Sequence, residues 1–133
     1  MTDKELLELA HTARKNSYSP YSHFAVGAAL LAKSGKVYLG TNIENASFGA
    51  TNCAERTAFF SAVTAGERNF SAIAIVGGKN DDETDECLPC GVCRQVMAEL
   101  CDADFKIIVE DKEKKAKALT LGELLPHSFE FRK

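Results

Sequence analysis

Cys53-Ala54-Glu55 and, further along, Pro89-Cys90-Gly91-Val92-Cys93 are the residues of this chain best suited to chemistry. Three thiolates can bind zinc and leave the fourth tetrahedral position open for a water. A carboxylate two residues from a ligand can move protons without itself binding metal. The pattern therefore points to a catalytic zinc, with Cys53, Cys90 and Cys93 as ligands and Glu55 as the proton carrier. Blander readings stand beside it. Cys87 could close a structural Cys₄ site, Cys90 and Cys93 could form a redox pair, and Glu55 could be only a first-turn acid that a helix dipole favours. Cys101 reads as a core cysteine near a helix end. His11, His23 and His127 are isolated, and none is assigned to the metal.

Zinc held by three thiolates carries a formal charge of −1, which weakens it as a Lewis acid. Arg56 follows Glu55 and Arg94 follows Cys93. A guanidinium that donates to a thiolate sulfur withdraws charge and restores acidity. Arg56 is expected to do this; its blander reading is a surface salt-bridge residue.

The elements that must position these groups follow from periodicity and capping. Residues 3–15 read as an amphipathic helix capped by Thr2 or Asp3, with Leu6, Leu9, Ala10 and Ala13 at helical spacing. Residues 16–22 are a loop by composition. A hairpin follows: Ala25 to Ala32, a turn at Lys33-Ser34-Gly35-Lys36, then Val37 to Gly40. Gly27, Ala28 and Ala29 suggest that something packs closely against its first strand. Residues 41–52 read as an ordered loop holding Asn42, Glu44 and Asn45. Cys53 to Ala65 reads as a helix closed by Gly66. Phe70 to Val76 reads as a buried strand ended by Gly77-Gly78. Residues 79–88 form an acidic loop with Asp81, Asp82, Glu83, Asp85 and Glu86, expected to be solvated. A helix over Cys90 to Cys101, a strand over Phe105 to Glu110 and a short helix over Leu121 to Leu125, capped by Thr120 and stopped by Pro126, complete the chain. The lysines from Lys112 to Lys117 read as a solvated turn. Strands alternating with helices imply a layered α/β fold. Both cysteine motifs then open helices, whose partial positive charge favours thiolate.

At 133 residues the chain is long enough for one domain with its own core. Its net charge of −3 argues against a polynucleotide partner, because neutralising phosphates needs a basic face. Residues 1–5 are polar rather than signal-like, and no apolar run approaches the roughly 18 residues of a membrane span. Five cysteines, an odd number with three clustered, favour metal over disulfides and a cytoplasmic setting.

The Cys-x-Glu…Pro-Cys-x-x-Cys spacing is an established signature of zinc nucleobase deaminases. The chain resembles the small, homotetrameric cytidine deaminases over almost its whole length. The likeness includes Tyr18 to Leu30 (YSPYSHFAVGAAL), Gly40 to Ala46 (GTNIENA), Asn52 to Ala58 (NCAERTA), Pro89 to Gln95 (PCGVCRQ) and Glu123 to Pro126 (ELLP). The resemblance implies a three-layer α/β/α sandwich with a mixed sheet of about five strands, as a single catalytic domain over residues 1–133. It implies Zn²⁺ on Cys53, Cys90 and Cys93, and Glu55 as proton shuttle. It matches Asn42 and Glu44 to groups that hold ribose hydroxyls, and Phe24 to an aromatic packed against the nucleoside. Ala54 matches a backbone contact to the base, and Phe129 a ring that stacks on the base of a neighbouring subunit. A monomer is then expected to be inactive. Two positions depart from the pattern: Phe48 stands where relatives often carry tyrosine, and the loop over 79–88 is longer, more acidic and carries Cys87.

The expected activity is hydrolytic deamination of cytidine and 2′-deoxycytidine to the uridine products with release of ammonia, in pyrimidine salvage. The expected partners are a nucleoside and other copies of the chain, with no nucleic acid and no membrane. A deaminase for a nucleoside-like antibiotic or a free base is one rival, disfavoured because Asn42 and Glu44 suit a free ribose. A zinc-stabilised binding module without activity is the other, disfavoured because a structural Cys₄ site has no need of Glu55.

Overall fold

Helix α1 (Asp3–Arg14) opens on a capping box, in which Thr2 accepts from Glu5 N–H and Glu5 accepts from Thr2 N–H. A hairpin of β1 (Ala25–Ala32) and β2 (Val37–Thr41) follows. After a short 3₁₀ turn at Phe48–Ala50 come α2 (Ala54–Thr64), β3 (Phe70–Gly78), α3 (Gly91–Leu100), β4 (Lys106–Glu110), β5 (Ala116–Thr120) and α4 (Leu121–Leu124). This computed structural model describes residues 1–79 and 84–131, so Asp81, Asp82 and Glu83 of the acidic loop lie outside the described residues.

The five strands form one mixed sheet in the order β2-β1-β3-β4-β5. β1 is antiparallel to both β2 and β3, β3 is parallel to β4, and β4 is antiparallel to β5. Period-two alternation sends side chains to both faces. Ala28, Leu30, Ile73, Ile75, Ile107 and Val109 face a core with Ala58 and Phe59 of α2, Met97 of α3 and Leu121 of α4. Ala29, Ala72, Ala74, Val76 and Ile108 face Leu6, Leu7 and Ala10 of α1. The result is three layers, with α1 on one face and the other helices on the opposite one. Its central strands are apolar on both sides, as a doubly covered sheet requires. The small residues of β1 serve the expected close approach: a β-carbon on Gly27 would lie 2.1 Å from Ala10 O of α1.

Three details differ from the sequence reading. Gly77 and Gly78 do not end β3 but continue it, paired with Val26 and Ala25. Lys117 belongs to β5 rather than to a turn. That strand is mostly exposed, and backbone pairing with β4 suffices to hold it, so its side chains carry no alternation signal. Asp85 and Glu86 are anchored: Asp85 N–H donates to Gly77 O at 2.7 Å, and Lys117 Nζ lies 2.8 Å from Glu86 Oε1.

The pairing directions make β2, β3 and β4 run the same way, opposite to β1. The C-terminal ends of β2 and β3 and the start of β1 therefore share one edge of the sheet. Residues 42–52 leave that edge toward α2, and α3 is the next helix after β3. Crevices outside the carboxyl ends of strands are where open α/β sheets bind ligands.

Candidate active site at the starts of two helices

Cys53 and Cys90 are the N-cap residues of α2 and α3, both with extended backbone and neither side chain used in capping. Their sulfurs are thus free to point outward. Cys93 lies in the first turn of α3 and is buried. The three sulfurs lie within 4.8 Å of one another, and Cys87 is not part of that group. Cys53 Sγ and Cys90 Sγ are 3.8 Å apart. Two sulfurs at corners of a tetrahedron with metal–sulfur bonds of about 2.3 Å stand about 3.8 Å apart, so the donor set fits zinc in spacing and in softness. Glycine at position 40 of β2 lets α2 approach: a β-carbon there would sit 2.3 Å from Ala54 O and 2.6 Å from Ala58 N.

A hydrogen bond from Cys93 pulls Cys53 down to about 5, helped by the Arg56 guanidinium against the cost of burial. Cys93, the donor in that bond, is correspondingly raised. Arg56 Nη2 donates to Cys53 Sγ at 3.2 Å, the contact expected of it. Arg94 is used differently: Nε donates to Pro89 O at 2.7 Å and Nη1 to Leu124 O at 2.8 Å. It ties the residue before Cys90 to the end of α4.

Glu55 is 4% exposed. Burial pushes its carboxyl up to about 7, opposed by its own backbone N–H and reinforced by the charge on Cys53. A carboxyl near neutrality can both take and give a proton. Ala54 is fully buried at the first helical position, where its N–H has no intrahelical acceptor.

Asn42 and Glu44 follow β2 and are tied to the loop before β1. Asn42 Oδ1 accepts from Val26 N–H at 2.9 Å and from the Ser17 hydroxyl, and its Nδ2 donates to Phe24 O at 2.8 Å. Glu44 accepts from Tyr21 N–H and Ser22 N–H, each at 3.0 Å, and from the Ser22 hydroxyl. The Ser22 hydroxyl and backbone N–H are the main reasons its carboxyl is held below the usual range. These bonds leave Asn42 one N–H and Glu44 one acceptor position. Nothing in a serine-rich loop tells which hydroxyl will meet a strand end, so the parts played by Ser17 and Ser22 are visible only in the fold.

An open cleft of about 380 Å³, lined by Tyr21, Ser22, Glu44, Asn45, Phe48 and Thr51, adjoins Glu44. Phe48 is exposed and meets Tyr21 edge-on, with ring centroids 6.5 Å apart. Phe24 is half-buried, its Cε1 close to Gly77. Phe129 lies in the segment after α4. Gln95 Nε2 donates to its carbonyl at 2.9 Å, and its ring, 69% exposed, lines a shallow cleft with Ala98, Glu99 and Phe131.

Known proteins resemble this chain in sequence and fold. The family described as "Cytidine and deoxycytidylate deaminase zinc-binding region" matches residues 1–109. The cytidine deaminase of Halalkalibacterium halodurans is 50% identical over 129 residues, spanning 97% of this chain and 95% of that one. That of Sporosarcina psychrophila is 44% identical over 97% and 92% of the two chains. The crystal structure of the Burkholderia pseudomallei cytidine deaminase superposes with a TM-score of 0.88 at 46% identity, over 97% of this chain and all of the other. The Mycobacterium tuberculosis enzyme gives 0.83 at 34%, over 98% and 99%. With this fold, a thiol cluster that fits zinc and matches of that extent, the chain belongs to the zinc-dependent cytidine deaminase family.

Proposed function

We propose that this chain hydrolyses cytidine and 2′-deoxycytidine to uridine and 2′-deoxyuridine with release of ammonia. The observation that carries the reading is the buried Glu55 carboxyl, near neutrality and two residues from Cys53 in a cluster spaced for zinc. Cys53, Cys90 and Cys93 hold the metal, which supplies a Lewis acid able to make water nucleophilic near neutral pH. Arg56 tempers the charge of the Cys53 sulfur. Glu55 takes the proton of the attacking water and gives it to N3 of the ring. It then takes the remaining proton from the C4 hydroxyl and delivers it to the 4-amino group, so that the C4–N bond breaks, C4=O forms and ammonia leaves. Ala54 N–H donates to the carbonyl oxygen of the base. Asn42 and Glu44 bridge a ribose hydroxyl through their spare donor and acceptor.

Phe24 packs against the nucleoside from within the chain. The exposed Phe129 ring suits stacking on a base held by a second copy, which supports a homotetramer with shared sites and an inactive monomer. Residues 1–133 act as one catalytic domain on a free nucleoside in the cytoplasm, in pyrimidine salvage. Among the described residues no helix is long and apolar enough to cross a membrane.

The test is cytidine turnover by the purified protein, followed by the ultraviolet change on conversion to uridine, with zinc assayed on the same sample. About one zinc per chain with turnover, lost by at least about 100-fold in Glu55→Gln with zinc retained, is the expected result. Zinc without turnover of any pyrimidine nucleoside would overturn it.

A further inference from the structure

Gly77 is the meeting point of three segments. It pairs with Val26 of β1, and its carbonyl accepts Asp85 N–H at 2.7 Å. A β-carbon at this position would lie 2.8 Å from Cys87 Sγ and 2.9 Å from Phe24 Cε1. A thiol and the edge of an aromatic ring thus rest on the same glycine, and a β-carbon there would crowd both. The residues before Cys87 hold it there, Asp85 through the bond to Gly77 and Glu86 through Lys117. Cys87 is half-buried and packs against the core on the α2–α3 side of the sheet. Burial, with the charges of Glu55, Asp85 and Cys53, pushes its thiol up to about 12, so it is a neutral, polarizable apolar group. Three residues before Cys90 and against the same glycine as Phe24, it stands at the sheet edge from which the cysteine cluster is built.

A 4-aminopyrimidine ring has a polar edge of O2, N3 and the amino group, and an apolar edge of C5 and C6. If C4 faces the cysteine cluster and N3 faces Glu55, the polar edge is satisfied there. The C5–C6 edge then needs apolar contact, because a polar wall would go unpaired. We propose that Cys87, seated on Gly77 beside Phe24, is a specificity-determining residue that walls the C5–C6 edge of the base and limits the size of a substituent at C5. This rests on the reading of the site as a cytidine deaminase.

The experiment compares 5-methylcytidine with cytidine in zinc-loaded wild type, Cys87→Ala and Cys87→Leu, as a ratio of kcat/KM. Calorimetric dissociation constants for 5-methyluridine and uridine give the same comparison without turnover. Melting temperature and zinc content accompany each variant. Cys87→Ala should raise the 5-methyl preference at least about fivefold in both measurements, and Cys87→Leu should lower it, within the range a methylene commands in a pocket. The alanine variant decides by itself if leucine prevents folding. An unchanged ratio in Cys87→Ala, with cytidine still turned over, overturns the wall and leaves the deaminase reading intact. A wild type that turns over no pyrimidine nucleoside overturns both.

Discussion

Arg56 Nη2 donates to Cys53 Sγ at 3.2 Å from within the same helical turn, so a proposed metal ligand and the cation that relieves its charge share one stretch of α2. Nε of the same guanidinium is buried without a partner among the described residues. Its hydrogen bond runs to a thiol sulfur rather than to a carboxylate. Arg56→Ala should weaken zinc binding by about 10–100-fold, the usual effect of losing a group that supports a ligand. Arg56→Lys should restore only part, since an ammonium lacks the planar fork. Competition against a chromophoric chelator measures both. Unchanged affinity in Arg56→Ala would show that the thiolates need no such donor.

Glu55 should also leave a mark on stability. In the metal-free protein its carboxyl is raised from an ordinary 4.5 to about 7 by burial. The folded state thus binds the proton more tightly than the unfolded one, so the stabilisation is fully present below about pH 4.5 and is lost as pH rises through about 7. The shift corresponds to about 3 kcal/mol. Metal-free Glu55→Gln should therefore be more stable than metal-free wild type at pH 8 by up to that amount, with the gap closing toward pH 4.5. Urea titrations at several pH values give the difference, and a gap independent of pH would contradict the assignment.

Glu44 should behave with the opposite sign. Bonds from Ser22 and Tyr21 hold its carboxyl low, so its contribution is present above the ordinary carboxylate range and is lost as pH falls below it. The Tyr21 and Ser22 amide resonances should titrate together at that low pH. Ser22→Ala should move the midpoint upward. Amide shifts that ignore the Glu44 titration would mean that the loop is held by other contacts in solution.

Gly40→Ala should damage the site from a distance. Its β-carbon would collide with Ala54 O and Ala58 N, which are backbone atoms that cannot rotate away. The first turn of α2 must then lift off the sheet and carry Cys53 with it. A loss of about 1–3 kcal/mol in stability is expected from overpacking of this kind. Zinc content should fall as well. Thermal melts and metal assays check it, and a variant with full zinc and an unchanged melt would show that α2 can shift without moving its cysteine.

Much of the site was legible because its parts are local. Cys53 and Glu55 fall within one turn, as do Cys90 and Cys93, and a turn fixes spacing whatever surrounds it. The capping signals at Thr2 and Thr120 were equally local, and both capping boxes are formed. The hairpin turn at Lys33 to Lys36 announced itself by composition, and β1 and β2 flank it as expected.

Other features depend on contacts that no short window contains. β5 has an unpatterned sequence, because an exposed edge strand needs a partner's backbone more than its own side chains. Asp85 and Glu86 look like solvated acids until Gly77 and Lys117 are brought to them. Arg94 repeats the sequence position of Arg56 after a site residue, yet it turns to the carbonyls of Pro89 and Leu124.

The sequence by itself determined which residues could do chemistry here, because ligand chemistry and helix-turn spacing are properties of residue type and short range. Only the tertiary structure decided that Cys53 and Cys90, 37 residues apart, stand at tetrahedral spacing. The pairing of β3 with β1 and β4 sets α2 and α3 over the same edge of the sheet, and side-chain identity in the cysteine motifs has no say in that pairing. The same long-range packing buries Glu55 and so raises its carboxyl, since the cost of desolvating a charge depends on every neighbour that excludes water.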